Sequence, residues 1–99
     1  MKQTERIQLM EEKMNSLKKA IGKMSKALEE YSEAQKDAEI LNEYLGSDDW
    51  WKDVKADVDK KLPADLKRGV LSEDGIYNLL DDNSELLDEL KEFLEKIKE

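Results

Sequence analysis

The sequence predicts an all-α fold, a long antiparallel helical hairpin in which one long amino-terminal helix packs against two shorter helices. Three observations predict it. The 99 residues include only four glycines and one proline, 42% of them are charged, and the apolar residues recur at steps of three and four. The length predicts a single helical domain over residues 1–99. A compact three-helix bundle is the alternative, because the corner at residues 62–71 is long enough for the third helix to reverse direction.

The first helix is predicted at about residues 4–45, and its apolar residues fall on one face. Gly46 follows at the position where a left-handed cap ends a helix. We name this face the amino-terminal stripe, and its alternating steps of three and four are those of a coiled coil. The members of the stripe are Ile7, Met10, Met14, Leu17, Ile21, Met24, Leu28 and Tyr31. A stripe of this length predicts an apolar partner surface along the helix.

The second helix is predicted at residues 48–61 and is expected to end before Pro63, which cannot continue it. Ser47 or Asp48 is the expected cap at its start. Asp48 and Asp49 also suit a first turn, because the amino-terminal end of a helix is the positive pole of its dipole.

Two adjacent tryptophans follow in this helix. On a helical wheel Trp50, Trp51, Val54 and Val58 fall within an arc of about 100°. We therefore expect both tryptophans on the buried face. The alternative is an exposed aromatic anchor, which makes Trp50 and Trp51 candidate contacts for a partner.

The third helix is predicted at residues 72–97. Ser72 is the expected cap, and Leu71 is placed to pack on Ile76 across the first turn. Asn83 lies at the centre of the apolar stripe, where one polar residue fixes the register of packing, unless it is exposed near a helix crossing. The stripe comprises Ile76, Leu79, Leu80, Asn83, Leu86, Leu87, Leu90, Phe93, Leu94 and Ile97.

Opposite charges favour packing of the third helix on the first. Residues 76–99 carry eight acids against three bases, whereas no acid occurs between Glu12 and Glu29 in the first helix. The lysines of that interval are Lys13, Lys18, Lys19, Lys23 and Lys26. We therefore expect the third helix to cover the amino-terminal half of the first. A homodimer is the candidate assembly, because two-helix packing leaves one side of a wide stripe open.

The corner overlaps the stretch DLKRGVLSEDGIYN, residues 65–78, which is either a working site or a structural element. Pro63 and Gly69 have the spacing of a brief helix that starts at the proline and ends before the glycine. Lys67 and Arg68 then occupy its last turn, where cations suit the negative pole of the helix dipole. This interpretation gives the whole stretch a structural role.

The alternative hypothesis for the corner is a small anion or partner-carboxylate site. Lys67 and Arg68 would face the free N–H groups between Ser72 and Gly75 at the start of the third helix. Glu73 and Asp74, in the first turn, compete with an external anion for Arg68.

The same stretch carries a family resemblance. The runs NEYLGSDDWWKD and DLKRGVLSEDGIYNLL resemble the small bacterial proteins grouped as domain of unknown function 4298, over essentially the whole chain. The doubled tryptophan, Trp50 and Trp51, departs from the single aromatic residue expected there. The resemblance implies an all-helical intracellular bacterial protein with no assigned activity.

Composition argues against most catalytic designs. Cysteine and histidine are absent, which removes disulfides, thiolate and imidazole metal ligands and the usual proton shuttle at neutral pH. We therefore predict no catalytic residue, no metal site and no cofactor. No run is apolar enough to cross a membrane and no signal-peptide pattern occurs, so we expect a cytoplasmic protein without a membrane partner.

The expected function is a non-enzymatic helical interaction module, self-associating, that presents a helix face or the corner to an unknown protein partner. A formal charge of -8 argues against direct binding of nucleic acid. The alternative is an acidic inhibitor that mimics nucleic acid and occupies a DNA-binding protein. A metal- or anion-dependent enzyme is the third hypothesis.

Overall fold

A computed structural model describes residues 2–98, which contain three α-helices and one short 3-10 helix. These are α1 (Gln3–Tyr44), α2 (Asp48–Val58), the 3-10 helix (Gly69–Leu71) and α3 (Glu73–Ile97). The predicted all-α fold with one long amino-terminal helix is confirmed. The chain divides into two compact units, Met1–Lys36 and Asp37–Glu99. The prediction of a single domain stays a prediction.

Helix α1 is 42 residues long and buries none of its side chains. The members of the amino-terminal stripe from Ile7 to Leu28 are 45–62% exposed. Burial of this part of the stripe within one chain, which the charge pattern led us to expect, is therefore not found. At the other end of α1, Gly46 has a φ of +79°, which confirms the predicted left-handed cap.

Helix α2 begins at Asp48, and Ser47, one of the two predicted residues, is its cap. Its hydroxyl oxygen accepts a hydrogen bond from the N–H of Trp50 at 3.2 Å, and the hydroxyl donates to the carbonyl of Tyr44 at 2.6 Å. Both bonds satisfy backbone groups that the ends of two successive helices leave without a helical partner. Ser47 thus fixes the turn between α1 and α2.

Helix α2 ends at Val58, earlier than the predicted residue 61, and Lys60 explains the difference. Its φ is +57°, in the left-handed region. The N–H of Lys60 donates to Asp57 O at 3.0 Å and the N–H of Lys61 donates to Ala56 O at 2.9 Å. This pair of bonds is a Schellman cap, which usually places glycine where this chain has Lys60. The sequence therefore lacked the usual signal for this helix end.

The brief helix predicted from Pro63 is wrong. Residues 63–66 form a turn, in which the N–H of Leu66 donates to Pro63 O at 3.2 Å. The Arg68 Nη2 donates to the carbonyls of Pro63 and Ala64, both at 3.1 Å, and its Nε donates to Leu66 O at 3.2 Å. The side chain thus binds carbonyls that a continuing helix would have used, and helical geometry returns only at Gly69–Leu71.

Helix α3 starts after Ser72, which confirms Ser72 as the residue at the cap position, although its side chain makes no hydrogen bond there. The N–H of Gly75 donates instead to the backbone carbonyl of Ser72, at 3.2 Å. Within the described chain the buried hydrophobic residues are Trp50 and Ile76, at 5% and 3% exposure. The core therefore lies where α2, the 3-10 helix and the start of α3 meet. Asn83 is half-buried, and its role in register stays a prediction.

Candidate functional site

Trp50 organises the corner. Its indole N–H donates to the carbonyl of Val70 at 2.9 Å, which ties α2 to the 3-10 helix across 20 residues of sequence. A buried tryptophan needs such a partner for its N–H, because an unpaired buried donor is costly. Trp50 is therefore a structural residue. It also lines one side of a neighbouring surface pocket.

Trp51 is 61% exposed, so the expectation that both tryptophans are buried is wrong. Adjacent residues in an α-helix point about 100° apart, and the core next to Trp50 is too narrow to cover that arc. The ring centroids of Trp50 and Trp51 lie 4.8 Å apart at 78° in an edge-to-face arrangement. The core tryptophan thus supports the exposed one through a favourable aromatic contact.

A surface pocket of about 370 Å³ lies beside these rings. Its lining combines residues around the α1–α2 turn with the first two turns of α3. The lining residues are Leu45, Gly46, Trp50, Trp51, Glu73, Asp74 and Tyr77. Tyr77 is 63% exposed and gives the pocket a second exposed aromatic wall. We call this cavity the aromatic pocket.

Two carboxylates border the aromatic pocket. Glu73 and Asp74 occupy the first turn of α3, and both are exposed. Neither forms an ion pair with a base in residues 2–98, where the pairs are Lys36 with Glu33, Lys55 with Asp59, and Arg68 with Asp57. The pocket therefore joins aromatic faces to two unpaired negative charges.

A tyrosine–carboxylate bond holds the end of α1 on α2, next to the turn at Ser47. The Tyr44 hydroxyl donates to Asp53 Oδ2 at 2.6 Å. This hydrogen bond, with a smaller contribution from desolvation and from the charges of Asp53 and Asp49, raises the pKa of Tyr44 from 10.0 to about 12. The bond is therefore formed at neutral pH, with the tyrosine as donor.

Arg68 is engaged inside the corner. Its Nη1 donates to Asp57 Oδ1 at 2.6 Å, in an ion pair whose side chains are both about one-third exposed. Its remaining nitrogens donate to the carbonyls of the turn at residues 63–66. These bonds leave the guanidinium little capacity for an external anion. The anion-site hypothesis for Lys67 and Arg68 stays a prediction that these contacts do not favour.

Gly75 has a structural explanation. A Cβ at this position would lie 2.6 Å from the carbonyl oxygen of Gly69, closer than real side chains come. The glycine therefore allows the first turn of α3 to lie against the backbone of the 3-10 helix. A second surface pocket, of about 330 Å³, borders this contact and is lined by Leu41, Lys67, Gly69, Val70, Gly75, Ile76 and Leu79.

The structure thus separates the predicted site residues. Trp50 and Trp51 line the aromatic pocket, whereas Lys67 and Gly75 line the second pocket. Ser72 lies at the start of α3, between Lys67 and Gly75 in sequence. Sequence reasoning missed Tyr77 as part of a site. One signal was available, because Tyr77 is a large aromatic residue immediately beside the core position Ile76, on the flank of the apolar face.

The chain belongs to the family described as domain of unknown function (DUF4298), which matches residues 7–96. The resemblance found in the sequence is confirmed. No curated protein and no solved structure matches the chain. Across residues 2–98, no helix combines the length and apolar character that spanning a membrane requires.

Proposed function

We propose that this chain is a non-enzymatic helical interaction module that self-associates through the amino-terminal stripe. The observation that carries the proposal is the exposure of the stripe, whose members from Ile7 to Leu28 are 45–62% exposed at coiled-coil spacing. Covering each such side chain contributes on the order of 1 kcal/mol, and seven of them offset much of the entropy cost of association. An apolar face of this kind is typical of a helix that works with a partner helix.

A second copy of the chain is the partner that the charges favour. Residues 13–28 of α1 carry five lysines and no acid, whereas α3 carries nine acids and two lysines. Helix α3 has its own exposed apolar stripe, whose members include Leu79, Leu86, Leu87, Phe93, Leu94 and Ile97 at 42–62% exposure. Pairing α1 of one copy with α3 of another covers both stripes and places opposite charges side by side.

Individual positions support this pairing. Lys13 and Lys18 directly flank the stripe of α1, and Asp82 and Glu89 flank one edge of the stripe of α3. In paired helices such flanking positions face the partner helix, where opposite charges favour the correct partner and orientation. An α1–α1 pair would instead bring lysines together.

Sedimentation equilibrium at several concentrations tests the proposal. We expect the full chain to dimerise and Ile21→Glu to shift it to monomer, because a carboxylate in a covered stripe is buried without a partner. Ser16→Glu is the matched control, since it adds the same charge to the same helix on the side away from the stripe. A chain that is monomeric at all concentrations, or an Ile21→Glu variant that dimerises like the control, would contradict the proposal.

Charge exchange tests which helices pair. Lys13→Glu with Lys18→Glu should weaken the dimer, and so should Asp82→Lys with Glu89→Lys, whereas all four changes in one chain should restore it. If the α3 changes alone left the dimer intact, α1 would not pair with α3. Self-association itself would still stand.

One observation favours a second candidate, the acidic mimic of nucleic acid. The acids of α3 from Asp81 to Glu95 are all exposed, as a mimic of a phosphate backbone requires. Pull-down from a bacterial lysate tests it, and recovery of no DNA-binding protein would count against it. In either role we propose that the chain works in the bacterial cytoplasm.

A further inference from the structure

Two aromatic residues that line the aromatic pocket are not part of the buried core. Trp51 and Tyr77 are 61% and 63% exposed, and both line the same cavity of about 370 Å³. Trp50 and Ile76, their neighbours in sequence, already form the core. Exposed aromatic residues that share a pocket are typical of recognition surfaces, since they bring a large contact area at a small cost in side-chain entropy.

The charge of the aromatic pocket selects the ligand. Glu73 and Asp74 contribute two negative charges, and the amino-terminal pole of α3 offsets only about half of one charge. No base among residues 2–98 lines the pocket. An anion is therefore repelled, and a cation gains both from the carboxylates and from the negative faces of the aromatic rings.

We propose that the aromatic pocket binds an arginine side chain presented by a partner protein. The planar guanidinium stacks on Trp51, which shares the pocket with Tyr77, and donates hydrogen bonds to the carboxylates of Glu73 and Asp74. Arginine suits this pocket better than lysine because its cation is planar and weakly hydrated and has paired N–H donors. The proposal is independent of the amino-terminal stripe, because the pocket is formed entirely by residues 45–77.

Titration of the full chain with the peptide acetyl-Gly-Arg-Gly-amide, followed by amide and indole NMR signals, tests the proposal. We expect saturable shifts of the Trp51 indole and of the amides of Glu73, Asp74 and Tyr77. The Trp50 indole, which donates to Val70 O, should move much less. The matched peptide with citrulline is neutral but nearly isosteric with arginine, so it should cause little change.

Two variants locate the binding. Glu73→Gln with Asp74→Asn should weaken peptide binding about tenfold or more at low salt, because the cation loses its charged partners. Glu85→Gln with Asp88→Asn makes the same change in net charge elsewhere on α3, on the side away from its stripe, and should leave binding within about twofold. Trp51→Ala should abolish the shifts while the far-ultraviolet circular dichroism stays helical.

Three results would overturn the proposal. The first is an equal response to the arginine and citrulline peptides, which would show that charge is not recognised. The second is an equal response to a lysine peptide, which would exclude stacking of a guanidinium. The third is binding that survives Trp51→Ala or the double change at Glu73 and Asp74.

Discussion

The amino-terminal part of α1 and residues 44–76, which include the corner, differ in how much of each is buried. The part of α1 within Met1–Lys36 buries no described side chain, although it carries most of the amino-terminal stripe. Residues 44–76, in contrast, bury the side chains of Trp50 and Ile76. Side-chain hydrogen bonds join Trp50 to Val70, Tyr44 to Asp53 and Arg68 to Asp57. Helical spacing alone therefore does not distinguish a face that one chain buries from a face that it leaves exposed.

The largest expected effect comes from the two tryptophans. Trp50→Ala removes a buried indole and its hydrogen bond to Val70, so we expect a loss of about 3–5 kcal/mol in the free energy of unfolding. Trp51→Ala, one residue away but 61% exposed, should cost less than about 1 kcal/mol. Denaturant unfolding of both variants measures the contrast. Equal losses would show that the corner core is not centred on Trp50.

The two glycines inside helices, Gly75 and Gly22, give the next largest expected change in stability. Gly75→Ala places a Cβ 2.6 Å from the Gly69 carbonyl oxygen and should destabilise the chain by about 1–3 kcal/mol. Gly22→Ala meets no atom within 4 Å in the single chain and should stabilise α1 by up to about 1 kcal/mol through helix propensity. Thermal melts of the two variants measure whether each substitution raises or lowers the stability. A destabilising Gly22→Ala would indicate a partner packed closely at Gly22.

The two left-handed residues should give a smaller effect. Lys60→Gly relieves a lysine at φ +57° and should raise the free energy of unfolding by about 1 kcal/mol. Gly46→Ala, at φ +79°, should lower it by a similar amount. Unchanged stability in both variants would contradict the two caps.

The smallest expected effect depends on pH. The pKa of Tyr44 is raised from 10.0 to about 12, so its folded state favours the protonated hydroxyl that donates to Asp53. This contribution is fully present below pH 10 and is lost as the pH rises through the folded value. Tyr44→Phe should remove the dependence over this window, whereas Tyr77→Phe should not. Absorbance of tyrosinate during a pH titration, compared with unfolding at each pH, measures it.

Local signals in the sequence predicted much of the fold. Gly46, Ser47 and the spacing of the stripes gave the helices, because turn chemistry and periodicity act over a few residues. The end of α2 was missed because Lys60 takes a conformation that usually marks glycine. The turn at Pro63 was missed because the bonds of the Arg68 side chain to three carbonyls leave no mark on composition or periodicity.

The candidate site was less predictable than the fold. The sequence identified Trp50 and Trp51 but could not tell which one is buried, since that depends on how narrow the core beside α2 is. For the corner, the sequence favoured a structural role and left an anion site at Lys67 and Arg68 as the alternative. The pairing of Arg68 with Asp57 and the grouping of Trp51 with Tyr77 depend on tertiary contacts, which periodicity does not encode.

Hydrogen exchange at two protein concentrations tests most directly the central claim, that the amino-terminal part of α1 needs a second copy whereas the corner does not. We predict that amide protection in residues 7–28 rises with concentration, because association covers the stripe, while the amides around Trp50 and Ile76 keep a constant protection. Protection of residues 7–28 that does not depend on concentration would contradict the claim.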